Sequence, residues 1–172
     1  MGKPPLSPYP PDLAEDAEPA VDLDDLEDAV ASDRDWANLR TMRLGALRVE
    51  VTRCRLTGTE LPEAALIDVT FADCRLDLVG LRFAKLERVV FRDCRMEECD
   101  FHGATLTDVL FDRCDLRKAR LSGVKLKRVE LRGCELAGLE GLAALRGARI
   151  PWNDVLQNAP LFASALGLEI VD

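Results

Sequence analysis

Six cysteines and a single histidine are the side chains of this 172-residue sequence best suited to metal or nucleophilic chemistry. Cys94 and Cys99 bracket the stretch CRMEEC, and His102 follows three residues later. Read locally, that is half of a zinc site, which gathers about four N or S ligands at ~2.0–2.3 Å around one point. The flanking sequence argues otherwise. VTFADCRL precedes this stretch and VLFDRCDL follows it, and Cys54, Cys74, Cys94, Cys114 and Cys134 lie twenty residues apart without a slip. A straight row of thiols, one repeat apart, cannot close a tetrahedron. Parallel Cβ atoms at the ~4.8 Å spacing of paired strands also miss the ~3.5–4.5 Å that a disulfide needs. The row, and Cys99 beside it, therefore reads as small buried hydrophobes. His102 has no nucleophile to serve as a base, and no GxGxxG or GxxxxGK[ST] phosphate loop occurs. The sequence offers no catalytic, metal or cofactor residues, and a non-enzymatic protein is expected.

The elements that position these side chains follow from two nested periods. Val49, Val69, Val89, Val109 and Val129 repeat every twenty residues, as do Phe71, Phe91 and Phe111. Beneath this runs a period of five: large apolar residues from Leu56 through Leu66, Phe71, Met96 and Phe101 to Leu136, each preceded two positions earlier by a smaller one. Five fits neither a helix, with its 3.6-residue period, nor a simple strand. Two side chains two residues apart point to one face, as in a strand, and the other three residues must turn a corner. Four such sides return the chain over itself after twenty residues. The expected fold class is an all-β solenoid, a square β-helix of about five to six coils, each stabilised by its neighbours.

Units such as CDFHG, ATLTD, ARLSG and CRLTG resemble the A(D/N)LXX units of pentapeptide repeat proteins over roughly residues 39–150. The resemblance implies a right-handed quadrilateral β-helix. Cys and Val often stand where the family has Ala, and Arg or Lys where it has Asp or Asn. After Leu136 the register fails at Gly138, Gly141 and Gly147, with Ala148 and Ile150 restoring one last strand. Residues 151–172 then read as a short helical cap, its first turn carrying Trp152, Val155 and Leu156 and its second helix starting at Asn158 and Pro160 and ending at Gly167.

The net charge of −8 is unevenly spread. Residues 1–35 hold eleven acids against Lys3 and Arg34, while residues 39–150 hold seventeen acids and twenty-one bases. The N-terminal segment is expected to be a Pro-rich, acidic, disordered tail over residues 1–35, with a short acidic helix at VDLDDLEDAVA. Residues 36–150 form the expected β-helix. The tail has no apolar core of the signal-peptide type and no apolar run is long enough to span a bilayer, so the expected setting is the cytoplasm, with thiols reduced and no membrane contact.

Two surface features stand out. Thr70, Val90 and Leu110 occupy outward positions one coil apart, and Leu78 and Phe83 occupy corners, together making a candidate partner surface. Arg113, Arg117, Lys118, Arg120, Lys125, Lys127, Arg128 and Arg132 form a candidate basic patch. No aromatic platform accompanies it, so nucleic acid is a disfavoured partner. The expected function is a protein–protein interaction module. The family resemblance also implies an alternative: a DNA-shaped modulator of a type II topoisomerase such as gyrase, giving quinolone or toxin protection. It further implies a homodimer through the C-terminal end. A DNA mimic needs an acidic rod, and the excess of bases over residues 39–150 opposes it.

Overall fold

The twenty-residue period becomes a vertical register. In the computed structural model, which describes residues 18–19 and 26–171, seven parallel strands stack in chain order. They are β1 (Glu18–Pro19), β2 (Leu26–Ser32), β3 (Gly45–Thr52), β4 (Ala65–Ala72), β5 (Lys85–Arg92), β6 (Thr105–Asp112) and β7 (Lys125–Arg132). Val49 pairs with Val69, Val69 with Val89, Phe71 with Phe91 and Phe91 with Phe111. Each of β2 to β7 spans two sides of the square. The other two sides are held by single bridges such as Arg55 to Arg75 and Glu60 to Gly80. Backbone bonds there run from coil to coil: the Leu56 N–H donates to the Arg75 carbonyl at 2.7 Å and the Arg75 N–H to the Cys54 carbonyl at 2.9 Å.

The corners explain why five residues make one side. In a single coil, Arg48, Arg53, Gly58 and Glu63 all have positive φ, between 52° and 72°. Each stands two residues after an inward central residue, where the left-handed conformation swings the chain through the bend. That conformation costs an L-residue roughly 1–2 kcal/mol, so the ladder bonds and the core must over-determine it. Inside, the apolar rows fill the axis. Phe71, Phe91 and Phe111 stack face to face with centroids 5.1 and 5.2 Å apart, and Phe101 meets Phe111 edge-on at 6.0 Å.

The solenoid begins earlier than the sequence suggests. Disorder was the expectation through residue 35, yet Leu26–Ser32 is a strand in register with β3, and Leu26, Ala29, Ala31 and Trp36 are buried core residues. The part of the expected acidic helix over residues 26–31 is likewise strand; its first half, and most of the remaining tail, lie outside the described residues. The acids that suggested disorder are in fact rungs. Asp28 pairs with Arg48, Asp33 with Arg53 at 2.7 Å and Asp35 with Arg55 at 2.9 Å, each one coil away.

At the other end, a 3-10 turn over Leu142–Leu145 leads to Arg149, which forms one bridge to Glu130 rather than a full strand. Helices α1 (Trp152–Gln157) and α2 (Ala159–Ala165) follow. Asp154 accepts the Gly133 N–H at 2.6 Å, and Leu161 and Phe162 lie half-buried against the last coil. No helix among the described residues is long and apolar enough to cross a membrane.

Candidate interaction surface

Among the described residues, eighteen non-glycine residues hold a positive φ, and sixteen of them are polar or charged. The two exceptions are Leu78 (φ 62°) and Phe83 (φ 58°). They are consecutive corners of one coil, and their side chains are 52% and 56% exposed. Bulky apolar residues gain nothing from this backbone, and half-exposed they bury only part of their surface. Among the described residues, Leu78 and Phe83 are the one pair of large apolar side chains at consecutive left-handed corners.

The side between them turns Val79 and Leu81 inward, carries Gly80 and the exposed Arg82, and is bordered by carboxylates of the coils before and after. Gly80 stands at its centre, pointing outward from the bridge with Glu60. A Cβ at Gly80 would meet Glu60 Oε2 at 2.0 Å, so the Glu60 carboxylate lies directly over the bare backbone. One coil on, Asp100 is nearly buried, accepts a hydrogen bond from the Arg82 Nε–H at 2.6 Å, and also accepts the His102 N–H at 2.9 Å. Burial pushes the Asp100 carboxyl up, but the His102 N–H and the Arg82 guanidinium outweigh it and hold it below the ordinary carboxylate value. Phe83 is fixed by what lies beneath it. Its ring covers Gly103, where a Cβ would come within 2.6 Å, and meets the His102 ring edge-on at 5.5 Å.

The other expected surface residues fare differently. Thr70, Val90 and Leu110 are indeed in one column, in register with Glu130. Thr70 is half-exposed, but Val90 and Leu110 are only 7% and 2% exposed. In a parallel ladder each outward side chain stacks ~4.8 Å from those above and below, and the flanking Arg92–Asp112 and Arg132–Glu130 ion pairs border the column. The expected exposed seam at Val90 and Leu110 is therefore not there, and the large apolar residues that the described coils expose are Leu39 and Met42 in the first coil and Leu78 and Phe83.

The basic patch is distributed over several sides. Arg113 pairs with Asp93, Arg117 with Asp115 and Glu97, Lys118 with Glu97 and Glu98, Arg120 with Glu140, Arg128 with Asp108 and Arg132 with Glu130. Only Lys125 and Lys127 of the eight show no ion pair. Direct hydrogen bonds from Arg113 and Arg128 hold the Asp93 and Asp108 carboxyls below their usual range. A cluster in the sequence is thus a set of separate rungs in space.

The thiols are all free and buried. Each of the five in the row points its sulfur at two carbonyls: Cys74, for example, reaches Val51 O at 3.4 Å and Ala72 O at 3.2 Å. Burial pushes the Cys99 thiol far above its ordinary value. No group of three metal-ligating side chains converges among the described residues. At the C-terminal end, where the family resemblance implies a dimer contact, Trp152, Leu156, Leu166, Leu168, Ile170 and Val171 are all largely exposed. The apolar turn expected in the cap thus leaves Trp152 and Leu156 facing out.

Comparisons with known proteins agree with this architecture. The family model described as a pentapeptide repeat region matches residues 47–121 and 84–140. Among solved structures, a pentapeptide repeat protein from the Arabidopsis thaliana thylakoid lumen aligns with a TM-score of 0.53 and 18% identity, over 56% of this chain and 67% of that one. QnrB1, a plasmid-mediated fluoroquinolone resistance protein, aligns with a TM-score of 0.51 and 12% identity, over 81% of this chain and all of that one. At these identities the likeness is one of fold. The search of curated proteins gives no match. With the coil register, the inward rows and the family model in agreement over more than half its length, the chain belongs to the pentapeptide repeat proteins.

Proposed function

We propose that this protein is a non-enzymatic protein–protein interaction module whose solenoid holds a rigid docking surface at Leu78 and Phe83. The observation that carries this reading is the placement of two large apolar side chains, exposed, at left-handed corners that are otherwise polar. Backbone strain and surface hydrophobicity together are features that folding alone does not favour. A Leu78→Asn/Phe83→Asn double variant tests it. Asparagine tolerates the left-handed conformation, so the fold survives. The variant should lose a partner that the wild-type protein retains from extracts of its native cell; equal retention by both proteins refutes the reading. A homodimer through the apolar C-terminal end, around Trp152 and Leu156, completes the proposal. The setting is a reducing one, in keeping with six unpaired thiols.

The topoisomerase alternative finds no support in charge. The coils from Leu26 to Ile150 carry 21 acids and 22 bases, and most of these are paired across coils. A rod that competes with DNA for a basic groove needs the opposite balance. The protein is expected to leave gyrase supercoiling unaffected at micromolar concentration. Inhibition below a micromolar would reverse the choice between the two readings.

A further inference from the structure

Resting on that docking surface, we propose that its partner presents a lysine or arginine between two apolar side chains, and that Glu60 is the residue that selects it. Any partner that touches both Leu78 and Phe83 must lie across the flat side between them. The centre of that side is Gly80, and the Glu60 carboxylate sits on it, with Oε2 and Oε1 at 2.0 and 3.1 Å from where a Cβ would be. Glu60 has no ion-pair partner among the described residues. Arg40, the preceding residue of the same outward column, makes no ion pair with it. Arg82, which feels its charge, donates its Nε–H hydrogen bond to Asp100 instead. Asp100, the next carboxylate along the column, is already balanced by Arg82 at 2.6 Å and Arg120 at 3.9 Å.

The site therefore has one carboxylate that forms no ion pair among the described residues, set between two apolar anchors. In water that charge is solvated and costs nothing. Under an apolar partner it is stripped of water, and a buried carboxylate without a counter-ion is strongly unfavourable. A partner lacking a cation is thus rejected, whereas one that brings a cation satisfies Glu60 and lays the aliphatic stem of that residue along the glycine floor. Phe83 adds to the selection. Gly103 lies against the Cδ1–Cε1 edge of its ring and His102 meets it at right angles, and the exposed part of the ring is available to a cation passing toward Glu60. Leu78, with Gly58 at the preceding corner of its column, leaves the opposite anchor equally open.

The test uses a phage-displayed random dodecapeptide library selected on the immobilised full chain, with counter-selection on the Leu78→Asn/Phe83→Asn variant. Enriched peptides should share a Lys or Arg flanked by apolar residues. A labelled synthetic copy should bind the wild-type protein and lose at least tenfold in affinity to Glu60→Gln, by fluorescence anisotropy. Far-UV circular dichroism establishes that both variants keep the β fold. Enriched peptides that are acidic or uncharged, or whose binding ignores Glu60→Gln, overturn the cation assignment while leaving the docking surface in place. Failure to enrich any peptide that separates the wild-type protein from the double variant overturns both.

Discussion

Replacing Phe91 by alanine removes the middle member of the aromatic stack. Phe91 is fully buried, with Phe71 at 5.1 Å on one side and Phe111 at 5.2 Å on the other, both nearly parallel to it. Phe→Ala in a core typically costs 3–5 kcal/mol, the transfer term and the cavity together. The site cannot collapse easily, because the coils above and below are tied by the continuous ladder bonds of β4, β5 and β6. The upper half of that range, about 4–5 kcal/mol, is therefore expected. Phe71 has an aromatic neighbour on one side only, with Val51 on the other. An aromatic pair is worth about 0.5–1.5 kcal/mol beyond burial, so Phe71→Ala should cost less than Phe91→Ala by about that amount. His102→Ala, at an exposed position, should cost under about 0.5 kcal/mol. Urea melts followed by far-UV circular dichroism measure all three, with unchanged m-values showing that the coils still unfold together. A loss below about 1.5 kcal/mol for Phe91→Ala, or losses equal to that of His102→Ala, would refute the inward stacking as a source of stability.

If the cysteines are packing residues, the native protein carries no stoichiometric zinc by elemental analysis, and all six thiols react with a colorimetric disulfide reagent only after denaturation. Asp33, Asp93, Asp108 and Asp115 have folded pKa values below the ordinary carboxylate value, chiefly through hydrogen bonds from Arg53, Arg113, Arg128 and Arg117. Their contribution is complete above the unfolded value of about 3.9 and is lost as the pH falls through the lower folded values. The urea midpoint should accordingly hold from neutral pH down to about pH 4.5 and then drop, and Asp93→Asn should shrink the drop. Leu78→Asn should leave stability unchanged or raise it by up to about 1 kcal/mol, since it relieves a left-handed leucine that buries little. A clear loss in thermal melts would show that Leu78 is a packing residue after all.

The sequence displayed the coils because inward rows obey one rule from Leu56 to Leu136 and no ordinary strand or helix shares that rule. It hid the first coil because Leu26, Ala31 and Trp36 continue the row inside a stretch whose acids dominate composition. Those acids signal disorder only when counted along the chain; counted across coils, Asp28, Asp33 and Asp35 each face an arginine twenty residues on. The same error in reverse made a patch of Arg113 to Arg132, most of which pair with acids of an adjacent coil or of their own coil. Leu78 and Phe83 were legible as corner residues. Their strain was not, because φ is a property of the bend and not of the residue name. Val90 and Leu110 were placed correctly on the outer side, but whether an outward residue is exposed depends on its neighbours in three coils, which no local pattern encodes.

One corner column has a further consequence. Asp28, Arg48, Asp68, Arg88, Asp108 and Arg128 alternate in sign, and each Asp pairs with the Arg that follows it. The inward rows are so alike that a chain which omitted one coil while winding would still lay valine on valine and cysteine on cysteine. The core is blind to that mistake. The corner column is not: according to which coil is skipped, Asp28 comes against Asp68, Arg48 against Arg88 or Asp68 against Asp108, a like-charged contact costing about 1 kcal/mol even in a water-like dielectric. The alternation acts as a parity check on the winding, rejecting a frame error that hydrophobic burial alone would accept.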